Sequence, residues 1–267
     1  MDNRAIGVFD SGVGGLTVAG RVMNQLPEEK IVYFGDTARV PYGTKSKETV
    51  TKFAKQDIRF LLSKNVKAII IACNTVSSNS IEECIKSFDV PIFGVVIPGA
   101  AEAAKMTKNG KIGVIATSAT IRSDAYKREI LKARPDVKVY SKACPLFVNL
   151  AEEGWADEEI TFLTAKKYLS ELIENGIDTL VMGCTHYPLL RKCIKKVVGD
   201  GIELVDPAYE TSAAVKEYLT GKNLLRASKT EPRHEFYVSD KTETFGKICA
   251  EALHTDFEAK EIDIELF

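Results

Sequence analysis

Two stretches decide how the chain reads: Ala68-Ile69-Ile70-Ile71-Ala72-Cys73-Asn74-Thr75 and Thr179-Leu180-Val181-Met182-Gly183-Cys184-Thr185-His186. Each opens as a short, continuous apolar run, β-branched in the first case, with the length of a strand buried on both faces of a parallel sheet. Each then turns polar at a cysteine and leads into a segment with helical spacing. The pattern predicts a thiol at the carboxyl end of a strand and the amino end of a helix, twice over, 111 positions apart. Open α/β sheets hold ligands beyond the carboxyl ends of their strands, and a helix amino terminus favours thiolate over thiol. The expectation is a pair of thiols facing one another across a small substrate.

Outward from these stretches the chain repeats itself. Ala5-Ile6-Gly7-Val8-Phe9 reads as a first strand, ending at Asp10-Ser11-Gly12-Val13-Gly14-Gly15-Leu16-Thr17, with a helix to about residue 25. Lys30-Ile31-Val32-Tyr33-Phe34 is a second strand, entering Gly35-Asp36-Thr37-Ala38-Arg39-Val40-Pro41-Tyr42-Gly43. That loop is long for a strand-to-helix connection, and such loops carry function. The spacing of Val50, Phe53, Ala54, Ile58, Leu61 and Leu62 predicts a helix over 47–63. A helix to about residue 88 follows Cys73, then a strand over 90–97 closed by Pro98-Gly99.

The pattern then restarts. Residues 111–117 resemble 6–11 at an offset of 106, 137–140 echo 30–33, and 175–185 echo 64–75. Val205-Asp206-Pro207 falls where Val96-Ile97-Pro98 fell. A repeat of this kind predicts two α/β units, each with its own parallel sheet. The tail reads as a helix over 211–219, a strand over 235–239, a helix near 244–253 and a last strand toward 265. Which unit the tail packs on is not legible from the pattern. Duplicated units packed about a pseudo-twofold axis would turn Cys73 and Cys184 toward one cleft.

Composition sets the limits. At 267 residues, 45% hydrophobic and 27% charged, the chain suits two modest globular domains or one large one. Thirty-six Lys+Arg against 37 Asp+Glu leave a net charge of −1, which points to no nucleic acid and no anionic membrane. Lys192, Lys195 and Lys196 read as the wet face of an amphipathic helix. No apolar run approaches the ~18 residues of a membrane span. Met1-Asp2-Asn3-Arg4 leads straight into a strand, so a cytosolic protein with free thiols is expected from the six cysteines. The glycines at 12, 14 and 15 do not make a dinucleotide fingerprint, which would need glycine at Thr17, and no P-loop Gly-Lys follows.

Two facing thiols suit one chemistry well. A thiolate takes a proton from a weakly acidic carbon while the opposite thiol delivers one to its other face, inverting the carbon. A free thiol with pKa near ~8.5 is only slightly ionised at neutral pH, so neighbours must help. Asp10 ends the strand beside that of Cys73, His186 lies two residues past Cys184, and Glu152 and Glu153 follow Cys144-Pro145-Leu146-Phe147 in a loop. No lysine sits at a strand end to hold pyridoxal phosphate, so the carbanion must lean on oriented donors. Backbone amides at helix starts and Ser11, Asn74, Thr75, Thr117, Thr120 and Thr185 are the candidates.

Plainer readings compete. Cys84, Cys144, Cys193 and Cys249 read as small core hydrophobes. Cys184 and His186 alone make half a zinc site, but there is no C-x-x-C and His234 and His254 lack ligand spacing, so no metal is expected. Asp10 as a simple helix cap and His186 as a structural histidine stay open.

The motifs at 6–18, 35–43, Cys73-Asn74-Thr75 and Gly183-Cys184-Thr185-His186-Tyr187-Pro188 resemble the aspartate/glutamate racemase family over essentially the whole chain. The paired cysteine motifs belong to the wider family; the glycine-rich opening and the 36–43 loop are narrower and point to members that act on glutamate. The resemblance implies two flavodoxin-like, doubly wound parallel-sheet α/β domains, residues 1–97 plus 207–267 and residues 98–206, with the active site between them. It also implies cofactor-independent interconversion of L- and D-glutamate, supplying D-glutamate for peptidoglycan, in a homodimer whose one ligand partner is that small molecule.

By the same resemblance, Cys73 and Cys184 donate and accept the proton, Asp10 assists Cys73, and His186 with Glu152 assists Cys184. Substrate contacts carry over to Ser11, Pro41, Tyr42, Gly43, Asn74, Thr75, Thr117, Thr120 and Thr185. Asn149-Leu150-Ala151-Glu152 stands where Pro-Leu-Val-Glu is the family pattern, which leaves Glu152 and Glu153 both open. Rival functions are racemisation of another acidic amino acid, aspartate first, a non-catalytic small-molecule binder, and a thiol–disulfide oxidoreductase, which the missing C-x-x-C disfavours.

Overall fold

The apolar runs become strands because only a sheet covered on both faces removes them from water. The computed structural model describes residues 1–228, 230–241, 249, 253 and 257–267. Its strands are β1 (Ile6–Asp10), β2 (Ile31–Gly35), β3 (Ala68–Ile71), β4 (Ile92–Gly94), β5 (Lys111–Ala116), β6 (Lys138–Ala143), β7 (Thr179–Gly183), β8 (Glu203–Val205), β9 (Glu235–Val238) and β10 (Ala259–Glu261). They form two sheets, ordered β10-β9-β2-β1-β3-β4 and β6-β5-β7-β8, with every pairing parallel. The run β2-β1-β3-β4 has the same order as β6-β5-β7-β8, which is the flavodoxin-like order. The repeat in the sequence is therefore a repeat in the fold.

Helices cover both faces. In chain order they are α1 (Leu16–Gln25), α2 (Lys47–Ser63), α3 (Asn74–Asn79), α4 (Ile81–Ser87), α5 (Val96–Met106), α6 (Ser118–Arg122), α7 (Ala125–Ala133), α8 (Leu146–Glu152), α9 (Glu159–Glu174), α10 (Arg191–Val198) and α11 (Pro207–Gly221). Strand alternation sorts the first sheet's side chains onto its two faces. Ile6, Val8, Ile31, Tyr33 and Ile70 pack beneath α1 and α11, while Phe9, Val32, Phe34, Ile69 and Ile71 pack beneath α2. In the second sheet Ile115, Leu180 and Met182 face α8, α9 and α10, and Ile112, Val114 and Val181 face α5 and α7. The tail adds β9 and β10 to the first sheet, beside β2, a placement the sequence pattern leaves open. Helix α11 packs on both α1 and α5 and so bridges the two units.

Several local expectations need correction. The strand expected over 90–97 ends at Gly94, and α5 starts at Val96. Pro98 lies in the first turn of that helix, where its missing N–H is tolerated, and Gly99 admits the ring of Pro207, 2.8 Å from where a Cβ would sit. The single helix expected after Cys73 is two, broken at Ser80, whose φ of −131° is not helical and whose hydroxyl lies 2.7 Å from that of Thr51. Cys184 is followed by a 3₁₀ turn, Tyr187–Leu190, before α10. Pro188 imposes it, having no N–H for an α-helical bond and restricting the residue before it. Glu152 ends helix α8 instead of lying in a loop. The final strand stops at Glu261, with a 3₁₀ turn at Ile264–Leu266, and the helix expected near 244–253 lies almost entirely outside the described residues.

One buried ion pair anchors the return of the chain to the first sheet. Lys67 Nζ lies 2.6 Å from Glu29 Oε2 and donates to the carbonyls of Asp2 (2.9 Å) and Leu224 (2.8 Å). Glu29 Oε1 accepts the backbone N–H of Arg226 at 2.8 Å. Removing one member of a buried pair strands the other charge. Lys67→Met should therefore destabilise the fold by about 3–5 kcal/mol, read as a lowered urea midpoint.

Candidate active site

Cys73 takes the N-cap position of α3, with one residue between it and the end of β3, and Cys184 immediately follows β7. Because β3 and β7 are equivalent strands of equally ordered sheets, both thiols stand at carboxyl edges, and both line one small cavity. Ser11, Pro41, Tyr42, Gly43, Asn74, Thr75, Thr117, Thr185 and His186 line it with them. Asp10, Glu152 and Thr120 stand behind that lining. The cavity measures about 20 Å³, room for a water molecule and not for an amino acid. Larger hollows of about 380 and 430 Å³ touch neither Cys73 nor Cys184.

The two thiols sit in different surroundings. Cys73 Sγ donates to Ser11 Oγ at 3.5 Å. Burial, and then the negative charge of Asp10, push its pKa up to about 12, against the pull of Ser11 and the Val76 N–H. The helix terminus, which favours thiolate, is therefore not the dominant influence on Cys73. The terminus is worth about 0.3–1 kcal/mol, whereas full desolvation shifts a buried group by several pKa units. Burial wins.

Around Cys184, His186 Nδ1 lies 3.8 Å from the sulfur and Nε2 lies 3.0 Å from Glu152 Oε1. Burial works against a charged imidazole, but its hydrogen bonds to Cys184 and Glu152 outweigh that and hold its pKa well above the ordinary histidine value. The raised pKa favours the charged form of the ring, which stands beside the Cys184 sulfur. Glu153 is exposed and makes no such contact; Glu152 is the carboxylate brought to His186.

Asp10 is fully buried, and its Oδ2 accepts the N–H of Gly12 (3.2 Å) and of Gly15 (3.0 Å). It thus shapes the glycine turn that leads into α1, and Thr185 Oγ1 reaches it at 3.4 Å from the other unit. Burial raises its pKa, opposed by His186 and by those backbone amides. The turn also needs its glycines for room: a Cβ on Gly14 would fall 2.6 Å from Thr185 Oγ1 and 2.7 Å from His186 Nδ1.

The donors expected from the sequence are tied across the units. Thr75 Oγ1 and Thr117 Oγ1 lie 3.0 Å apart, and Thr117 is braced by Thr120 Oγ1 at 3.1 Å. Gly43 lets the 40–43 loop close on Thr117, 2.7 Å from where a Cβ would sit. Tyr42 turns its hydroxyl away, to Asp36 and to Asp57 (3.2 Å), in a network that Arg39 joins through both carboxylates. Three contributors escape a reading of the sequence. Val40 and Val148 line the cavity with no polar chemistry to betray them, and the Tyr126 hydroxyl donates to Asn74 Oδ1 at 2.6 Å.

Burial does not separate these two cysteines from Cys84, Cys144, Cys193 and Cys249, which are buried as well. It does make a pH prediction. Cys73 and Cys84 are both raised from 9.0 to about 12, by burial first. A raised thiol pKa means the fold favours the protonated form. That stability is complete below pH ~9 and lost as pH rises toward ~12. Urea midpoints should hold from neutrality to about pH 9 and then fall, and Cys84→Ala should make the fall shallower.

Residues 17–217 match the profile of the Asp/Glu/Hydantoin racemase family. A glutamate racemase of Geobacter metallireducens is 51% identical over 240 residues, 90% of this chain and 89% of its own. The chain belongs to this racemase family. The crystal structure of a family member, a glutamate racemase from Francisella tularensis in complex with D-glutamate, superposes with a TM-score of 0.93 at 40% identity, covering all of both chains. A second member, a glutamate racemase isoform from Bacillus anthracis, gives 0.94 at 37% identity over 98% of each chain. Among the described residues no helix is long and apolar enough to cross a membrane, and no group of three His, Cys, Asp or Glu is arranged to hold a metal ion.

Proposed function

We propose that the chain interconverts L- and D-glutamate by proton transfer at Cα between Cys73 and Cys184, with no cofactor. The observation that carries this reading is the shared cavity: two sulfurs from equivalent strand ends, one backed by Ser11 and Asp10 and the other by His186 and Glu152. In one direction a thiolate at Cys184 takes the Cα proton; the C–H bond breaks, S–H forms, and the electron pair stays on carbon. The Cys73 thiol then delivers its proton to the opposite face and becomes the thiolate. The reverse sequence returns the other enantiomer. The raised pKa of Cys73 suits the donor half at neutral pH, and the imidazolium of His186 supplies positive charge at the sulfur that accepts.

A carboxylate-bearing substrate finds hydroxyls at Ser11, Thr75, Thr117 and Thr185, and an amide at Asn74, in place of an Arg fork. Such donors stabilise developing charge without reorganising. With about 20 Å³ between the thiols, glutamate enters only when the two units part, so a closing motion precedes chemistry. The wider reading, residues 1–97 plus 207–267 against 98–206 as the moving domains of a cytosolic homodimer that feeds peptidoglycan synthesis, rests on the family. The rival substrate, aspartate, differs by one methylene, worth about 1–3 kcal/mol in a fitted pocket. Circular dichroism of L-glutamate and L-aspartate incubated with the metal-free protein tests the reading. Optical activity of glutamate should decay to zero, and that of aspartate at least ~10-fold more slowly; a reversed order would reassign the substrate.

A further inference from the structure

We propose that Tyr126 is a positioning residue: it holds the Asn74 side chain so that the amide nitrogen, not the oxygen, is offered to a carboxylate in the cleft. Tyr126 lies on α7 of the second unit and Asn74 follows Cys73 in the first. Their bond is short, 2.6 Å from Tyr126 Oη to Asn74 Oδ1, and both residues are buried. A primary amide has an acceptor end and a donor end, and a carboxylate accepts but does not donate. A phenol bound to the acceptor end leaves the two N–H bonds for the other side.

Burial, and then the charges of Asp206 and Cys184, keep the Tyr126 hydroxyl protonated, so it has a hydrogen to donate, and its partner atom is the amide oxygen. Among the described residues its acceptor is Asn74 Oδ1, and the Asn74 amide nitrogen has no protein partner. Asn74 lines the cavity between the cysteines and also a smaller hollow beside Asp206; the unengaged end is assigned to the first.

The repeat supplies a second, independent observation. Ala72 precedes Cys73, but glycine precedes Cys184. A Cβ on Gly183 would sit 3.0 Å from Tyr126 Cε2 and 2.9 Å from the Ile115 carbonyl. Gly183 thus gives the Tyr126 ring its seat against β7, and the two halves differ at this position for a steric reason. Because the bond joins the two units, the amide is aimed when they close on substrate and is free to turn when they part.

The inference rests on glutamate as the occupant of the cleft, and a double-mutant cycle on D-glutamate binding tests it. Dissociation constants are measured by titration calorimetry for the wild type, Tyr126→Phe, Asn74→Ala and the double variant, with melting temperatures alongside. Tyr126→Phe should weaken binding roughly 10-fold, raising KM while kcat changes little, and Asn74→Ala should weaken it by about 10- to 100-fold. The double variant should bind no worse than Asn74→Ala, since a hydroxyl that acts only by aiming the amide has nothing left to aim. Asn74→Asp keeps an acceptor for Tyr126 but turns a carboxylate on the ligand, and should lose at least ~10-fold with the fold intact.

Wild-type affinity in Tyr126→Phe or in Asn74→Asp would overturn the proposal, as would a double variant whose loss is the product of the singles. A chain that gives the expected cycle but does not invert glutamate would overturn the racemase reading and leave this one standing. A chain that does not bind glutamate would overturn both.

Discussion

Cys73→Ala and Cys184→Ala should each abolish inversion, lowering kcat by roughly 10⁴-fold, the upper end of what one positioned proton-transfer group contributes. Each variant leaves a single sulfur in the cavity, on one side of the carbon. That sulfur can still remove and return a proton on its own face, but nothing opposite delivers one. Each variant should therefore exchange the Cα hydrogen of one enantiomer with solvent, a different one for each, without converting it. Cys84→Ala is the control: its sulfur lies in the core beneath α2, outside the cavity, so inversion should persist. Nuclear magnetic resonance of Cα labelling beside a polarimetric assay reads both quantities at once. Exchange of both enantiomers in a single variant would mean the two sulfurs do not have separate faces.

His186→Asn should cost about 10²-fold in kcat, and Glu152→Gln less. His186 is one of the two polar side chains braced together beside Cys184, 3.8 Å from its sulfur and tied to Glu152 at 3.0 Å. Asparagine keeps a hydrogen-bonding group there and removes the positive charge. The equilibrium constant between enantiomers is one, so kcat/KM must fall equally in the two directions; the asymmetry of the site shows in kcat and KM taken separately.

The pH profile carries the sign. His186 has a pKa raised well above the ordinary value, so its charge is present through neutrality and lost as pH climbs through that raised value. An alkaline decline in the wild type that disappears in His186→Asn is the expected signature. A variant with an unchanged alkaline limb would assign that limb elsewhere.

Much of this fold is legible in the sequence alone. The β-branched run at 68–71 and its partner at 179–183 are apolar on both faces, and nothing but a covered parallel sheet accommodates that, so the placement of both cysteines follows. The boundary at β4 is not legible, since Val95, Val96 and Ile97 extend the apolar run and only Gly94 and the close approach of Pro207 to Gly99 end it. Only the turn of α8 separates Glu152 from Glu153, pointing one carboxylate at His186 and leaving the other in solvent. The ionisation of Cys73 is not legible in the sequence, for a physical reason. A helix end is visible as local sequence, whereas desolvation is summed over side chains from Ser11 to Cys184 that only the fold assembles. Tyr126 is silent because one aromatic on an amphipathic helix looks like core, and its partner lies 52 positions earlier.

The most direct measurement follows L-glutamate in heavy water to low conversion and reads the Cα of both enantiomers. Two sulfurs on opposite faces predict that newly formed D-glutamate carries solvent deuterium while recovered L-glutamate keeps its original hydrogen. Product that retains the substrate's own hydrogen would mean a single base works both faces, and would contradict the two-thiol mechanism.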